Sequence, residues 1–112
     1  MGEAAAVRYL EQIGHKILAI NWRYKKYEVD IISRWENTIV FIEVKTRKSL
    51  TFGEPELFVG RKKQGFLVAA ANEYMLQNNL PLESRFDIVA IVWHSNSQVV
   101  KHLPEAFYPP VK

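Results

Sequence analysis

Asp30, Glu43 and Lys45 stand at a spacing at which two carboxylates and an amine can meet: an acid, twelve residues, then Glu-x-Lys. Glu43 and Lys45 close an apolar run, Ile39-Val40-Phe41-Ile42-Glu43-Val44-Lys45. In an extended strand Phe41, Glu43 and Lys45 share one face, and Val40, Ile42 and Val44 share the other. Both faces are apolar up to Glu43, as in a central strand covered on both sides, so charge at its end needs a compensating partner. Asp30 interrupts a second apolar strand, Val29-Asp30-Ile31-Ile32. Carboxylates from two neighbouring strands suit a hard divalent cation, Mg²⁺ or Mn²⁺. Such an ion can neutralise a phosphate, activate a water and stabilise a leaving oxygen, which are the needs of phosphodiester hydrolysis. Asp30, Glu43 and the Val44 carbonyl are the expected ligands, with waters completing the shell. Lys45 would orient or deprotonate the attacking water, or stabilise the charged transition state.

Each of these residues has a plainer explanation. Glu43 and Lys45 could form an ion-pair row on an exposed strand face, contributing about 0.2–1 kcal/mol. Asp30 could simply close its strand near a turn. Glu3 is a further catalytic candidate, because positions 3, 6, 7, 10 and 13 fall on one helical stripe and a carboxylate there could reach the metal through water. An acid in a first turn also favours the helix dipole, which is reason enough for Glu3 to be there. Glu28, on the same face as Asp30, is a weaker auxiliary.

Positioning these groups takes a small set of elements. Ala6, Val7, Leu10 and Ile13 have helical spacing over residues 3–13, with Gly14 as a C-terminal cap. Apolar or alternating runs at about 17–23, 28–34 and 38–46 predict three strands, broken by turns at Lys25-Lys26 and Glu36-Asn37, as an antiparallel meander. Residues 49–58, with Gly53 and Pro55, read as a loop beside the end of the third strand. A second helix is predicted over about 60–78, with Phe66 or Leu67, Ala70, Ala71 and Tyr74 facing inward, and Asn78, Asn79 and Pro81 ending it. Strands at about 85–93 and 98–103 follow, and Pro104, Pro109 and Pro110 predict an irregular tail. The order αβββαββ describes an α/β domain, a mixed sheet with a helix on each face. The helix after the third strand is long enough for a crossover.

At 112 residues with 48% hydrophobic content, the chain has material for one domain, 1–112, with one core. It has no cysteine, which excludes thiolate metal sites and cysteine nucleophiles and fits a reducing compartment, with the cytoplasm as the expected location. No apolar run is long enough to span a bilayer, so no membrane partner is expected. Net charge is +3, and 11 of the 15 basic residues fall between Lys16 and Lys63 against 6 of the 12 acids. From that excess come the expected nucleic-acid contacts: Arg23, Lys25, Lys26, Arg47, Lys48, Arg61, Lys62 and Lys63. Trp22, Tyr24 and Tyr27 lie among them, where they could stack on bases. Arg61, Lys62 and Lys63 occupy a first helical turn, where positive charge opposes the dipole and phosphate contact would supply a reason. A solvated lysine-rich face is the competing account of the whole feature. His15, His94 and His102 are isolated in sequence, which argues against a histidine metal cluster, and Arg85 and Asp87 read as a structural ion pair. No nucleophilic triad, Walker loop or dinucleotide fingerprint is present.

Gly2-Glu3-Ala4-Ala5 with Tyr9-Leu10, Asn21-Trp22-Arg23, Glu28-Val29-Asp30-Ile31-Ile32 and Val40-Phe41-Ile42-Glu43-Val44-Lys45-Thr46-Arg47 form a specific combination. Phe52-Gly53 with Pro55, and Arg85-Phe86-Asp87, continue it. On these residues the chain resembles the YraN-type bacterial family of uncharacterised proteins, in the restriction-endonuclease-like PD-(D/E)xK group. Where the name motif of that group has proline before aspartate, this chain has Val29. It is also similar to archaeal Holliday-junction resolvases, whose helical Glu, strand Asp and Glu-x-Lys would correspond to Glu3, Asp30, Glu43 and Lys45. The resemblance implies a restriction-endonuclease-like fold and a Mg²⁺-dependent endonuclease acting on DNA, branched or single-stranded. Those resolvases cut as dimers, so a homodimer is consistent with it. Family members carry a short lead before the Gly-Glu pair, so Met1 is expected to mark a truncated start. The rival expectations are a nucleic-acid-binding module that keeps the fold without turnover, and a protein-interaction subunit.

Overall fold

The computed structural model describes residues 2–48 and 59–109. The elements run α1 (Gly2–Gln12), β1 (Lys16–Tyr24), β2 (Tyr27–Trp35), β3 (Thr38–Arg47), α2 (Arg61–Gln77), β4 (Glu83–His94) and β5 (Ser97–Phe107). One five-stranded sheet has the order β1-β2-β3-β4-β5. The first three strands form the antiparallel meander, β3 and β4 are parallel, and β4 and β5 are antiparallel. The parallel step is the one that needs a crossover, and α2 supplies it. The α/β architecture and the order αβββαββ are those the periodicity predicts. The expected loop at 49–58 lies outside the described residues.

The alternation of β3 sorts the core into two layers. Phe41 faces α2, in a cluster with Ile32, Leu67, Ala70, Ala71, Tyr74 and Phe86. Val40 and Ile42 face α1, with Ala5, Ala6, Leu10, Ile31, Val89 and Ile91. The fully buried Ile31, Ile32, Ile39, Val40 and Ile42 leave β2 and β3 enclosed on both faces, and Ile88, Val89 and Ile91 do the same for β4, so the sheet centre gains apolar stabilisation from both layers. Leu67 takes the inward position, while Phe66 lies at the side of α2 against Tyr27, ring centroids 5.2 Å apart. Helix α1 ends where Gly14 adopts φ 99°, so that the Gly14 N–H reaches the Glu11 carbonyl at 3.1 Å and the His15 N–H reaches Leu10 at 2.9 Å. This left-handed termination turns the chain into β1 and buries His15.

The C-terminal part differs from expectation. Pro104 lies inside β5 rather than beginning an irregular tail. The strand is at the sheet edge, where a missing N–H costs little. Glu105 follows at φ 52°, and the register between β4 and β5 shifts between Phe86 and Ile88. Such a bulge also blunts the edge against unwanted pairing. No helix among the described residues is long and apolar enough to cross a membrane.

Candidate active site

Pairing between β2 and β3 runs from Trp35↔Thr38 to Ile31↔Ile42, although β3 continues to Arg47. Beyond the last pair, the Asp30 carboxylate takes over: the Val44 N–H donates to Asp30 Oδ2 at 2.8 Å. A side chain thus replaces the backbone ladder at the level of Glu43 and Val44. An irregularity in β1 lies beside this point. Asn21 has φ 53°, in the left-handed region that asparagine tolerates better than most residues. It sits between the pairs Ile20↔Ile31 and Trp22↔Val29. There the alternation of both strands breaks, because Ala19 and Trp22 both pack against the α2-side cluster, as do Ile32 and Val29. Asp30 occupies the break in β2. A strict period of two would have sent its side chain to one face; instead its carboxylate meets the Val44 N–H of β3.

Glu3 reaches the same neighbourhood by close packing of α1. A Cβ on Gly2 would stand 2.6 Å from Thr46 Oγ1 and 3.6 Å from Val44 Cγ1, so glycine is what allows the first turn of α1 to rest on the end of β3. Electrostatics link the acids. Burial raises the Asp30 carboxyl to about 6, the Val44 N–H works against that rise, and the charges of Glu43 and Glu3 add to it. Lys63 offsets part of it. The amine of Lys45 is held below an ordinary lysine, first by burial and then by Arg47, with Lys63 acting the same way and Glu43 opposing. Asp30, Glu43, Glu3, Lys45, Arg47 and Lys63 therefore share one electrostatic environment at the first half of β2, the end of β3 and the starts of α1 and α2.

The donor set suits a divalent cation. Asp30 and Glu43 are hard oxygen donors, and in an extended strand the Val44 carbonyl leaves on the same side as its N–H, toward Asp30. Among the described residues no three His, Cys, Asp or Glu side chains converge as a cage. Two carboxylates with waters are the usual complement for Mg²⁺, which keeps much of its hydration. Burial, and after it the charges of Glu43 and Glu3, make the ionised form of Asp30 costly, a cost that a bound cation would reduce.

The basic residues divide. Lys63, in the first turn of α2, pairs with Glu43 Oε2 at 3.4 Å, a contact the sequence pattern did not suggest. Arg61, Lys62 and Lys48 are exposed, and Arg47 donates to the Thr46 carbonyl at 2.9 Å. Arg23, Lys25 and Lys26 ring the β1–β2 turn: Arg23 lies 3.5 Å from Glu28, Lys25 over the Tyr24 ring and Lys26 over Phe66. Of the aromatic residues interleaved with them, Trp22 packs edge-on against Tyr74 and Tyr27 lies against Phe66. These two rings form a seam joining the hairpin to α2.

A second polar cluster lies on the α1 side. Asp87, only 1% exposed, accepts from Arg85 Nε at 2.9 Å and Nη2 at 2.8 Å, from His102 Nε2 at 2.7 Å and from the Glu105 N–H at 3.1 Å. The Arg85–Asp87 pair is structural, as its spacing suggested. His102 and His15 are not isolated: their rings lie 6.2 Å apart, Tyr9 Oη meets His102 Nδ1 at 3.0 Å, and Ser33 Oγ meets His15 Nδ1 at 2.8 Å. Only the fold brings together residues from α1, β2, β4 and β5, so no local pattern could have announced this network.

The fold and its charged end define a small α/β domain in which a central strand delivers Glu-x-Lys beside an acid from its neighbour. The chain belongs to the UPF0102 family: the model for "Uncharacterised protein family UPF0102" matches residues 2–91. It is 45% identical over 107 residues to a UPF0102 protein of Flavobacterium psychrophilum, covering 96% of this chain and 90% of that one. Against a Bacteroides thetaiotaomicron relative it is 41% identical over 110 residues, covering 98% and 91%. Against one from Geobacter metallireducens it is 41% identical over 107 residues, covering 95% and 88%.

Proposed function

We propose that this protein is a divalent-metal-dependent endonuclease of the restriction-endonuclease-like kind, hydrolysing phosphodiester bonds in branched or single-stranded DNA in the cytoplasm. The supporting observation is the place where pairing between β2 and β3 gives way to the bond between Val44 and Asp30, with Glu43 and Lys45 on either side of Val44. In this reading Asp30, Glu43 and the Val44 carbonyl hold Mg²⁺ or Mn²⁺, which supplies charge neutralisation and an activated water. Asp30 keeps its bond to Val44 and so stays aimed between the strands. Glu3 orders solvent from the outer side. Lys45, whose proton is held less firmly than an ordinary lysine's, lies on the Glu43 side of β3 and can take a proton from water or support the charged phosphate. Arg47, Lys48, Arg61, Lys62 and Lys63 contact the backbone near the site, and Arg23, Lys25 and Lys26 extend that contact to the hairpin tip.

The test is cleavage of linear, nicked and four-way DNA in Mn²⁺. Lys45→Met should slow cleavage by about 10²-fold or more while leaving DNA affinity nearly unchanged. Mn²⁺ should also raise the melting temperature of the wild type, an effect that Asp30→Asn removes. A melting temperature indifferent to metal in both proteins would remove the catalytic reading. The Glu43–Lys63 pair favours one alternative, a DNA-binding module without turnover, because a carboxylate held by an amine is less available to an ion. Salt-dependent binding with no cleavage of any substrate would select that alternative.

A further inference from the structure

Lys63 enters the charged site from a different element. Its Nζ lies 3.4 Å from Glu43 Oε2, and the two side chains differ sharply in exposure, 14% for Glu43 and 52% for Lys63. The acid is fixed on the central strand, whereas the amine reaches it from α2 on a flexible four-carbon stem. A pair with one solvated partner is easily exchanged. A divalent cation bound to Glu43 would sit about 2 Å from a carboxylate oxygen, and two cations on the same small group repel strongly away from bulk water. Ion entry therefore displaces Lys63. Its alternative partner must be anionic and near the start of α2. The first turn there holds Arg61, Lys62 and Lys63 and no acid, so the displaced amine faces cations and the positive end of a helix. A backbone phosphate satisfies all of them.

We propose that Lys63 is a resident stand-in cation, occupying Glu43 while no metal is bound and transferring to a phosphate of the nucleic acid when the metal arrives. This rests on the reading of Glu43 as a metal ligand, and adds that ion and nucleic acid favour each other's binding through one side chain. The coupling is reciprocal: a phosphate that draws Lys63 away frees Glu43, and an ion that displaces Lys63 supplies one more phosphate contact.

Calorimetric titration with Mn²⁺ alone, in the absence of nucleic acid, reads the first half. Lys63→Met should bind Mn²⁺ roughly 5–10-fold more tightly than the wild type, whereas Lys63→Arg, which keeps the charge, should stay within about twofold. Affinity for a phosphorothioate DNA duplex with a single-stranded end, chosen to resist cleavage, reads the second half. In EDTA the wild type and Lys63→Met should show the same dependence on salt; in Mn²⁺ the wild type should be steeper by about one released counterion. Lys63→Met binding Mn²⁺ no more tightly than the wild type, while Glu43→Gln loses the ion, would overturn the exchange and leave the metal site standing. Absence of Mn²⁺ binding to both the wild type and Lys63→Met overturns the exchange together with the site it depends on.

Discussion

Asp30 and Asp87 are both aspartates set in otherwise apolar strands, near opposite ends of α1, and their surroundings treat them in opposite ways. Burial pushes both carboxyls upward. Around Asp87, His102, Arg85 and the Glu105 N–H more than offset that push, and the carboxyl ends below the ordinary aspartate range. Asp30 receives the Val44 N–H and the distant help of Lys63, against the charges of Glu43 and Glu3, and stands at about 6. One acid is closed, its charge neutralised and its lone pairs taken; the other is buried with one hydrogen bond from Val44 and too little else to offset that burial. A satisfied buried acid holds a structure together, whereas an under-compensated acid where strand pairing stops is a place suited to a cation.

Removing the closed acid should have the largest effect. Asp87→Ala would leave Arg85 and His102 without their counter-charge and should cost about 3–5 kcal/mol, read as a fall in melting temperature or denaturation midpoint. A loss below about 1 kcal/mol would mean that the network contributes little, and the contrast between the two acids would fail.

Asp30→Asn should act with the opposite sign. The amide oxygen can still accept from Val44, and the charge that burial and two neighbouring acids disfavour is gone. The folded state holds the Asp30 proton more tightly than the unfolded chain, so the metal-free wild type loses stability as pH rises from about 4 to about 6 and does not regain that part above it. The substitution should therefore stabilise the metal-free protein by roughly 2–3 kcal/mol at pH 8 and by little at pH 4. For Asp87 the linkage reverses: its stabilisation is present above the unfolded aspartate value near 4 and is lost as pH falls through the lower folded value. Thermal melts of both substitutions across pH 3–8 separate the two behaviours.

A smaller change sharpens how far the closed network reaches. Tyr9→Phe removes the hydroxyl at His102 Nδ1 and keeps the ring, so it should cost about 1 kcal/mol. Because Tyr9 and Glu3 share α1, Mn²⁺ titration of Tyr9→Phe also tests whether the network helps to seat the other end of that helix. Unchanged Mn²⁺ affinity would show that the two sites are independent.

Much of the fold was legible because its signals are local. The apolar runs of β2, β3 and β4, the helical stripe of Leu67, Ala70, Ala71 and Tyr74, and the length of α2 led to a mixed sheet with a crossover. The end of β5 was missed because proline is a stop signal only until edge position is known. The aromatic residues near the β1–β2 turn invited a base-stacking reading, yet Trp22 and Tyr27 serve the seam with α2, since composition cannot say which way a ring faces. At the site, Asp30, Glu43 and Lys45 could be named from spacing, whereas Lys63 could be named only as a phosphate contact, with nothing in its position along the chain pointing to Glu43.

The sequence by itself determined which segments are strands and helices, that β3 is apolar on both faces, and that its last residues carry an acid and an amine. Periodicity and turn chemistry are short-range, and a chain of residues carries them directly. Tertiary structure decided that the left-handed Asn21 lies beside the point where Asp30 meets Val44, that Gly2 lets Glu3 approach, that Lys63 lands on Glu43, and that Asp87, beyond its neighbour Arg85, also gathers His102 and the Glu105 N–H. Those outcomes depend on strand register and on how tightly helices rest on the sheet, and electrostatic environments change over a few ångströms where sequence separation gives no distance at all.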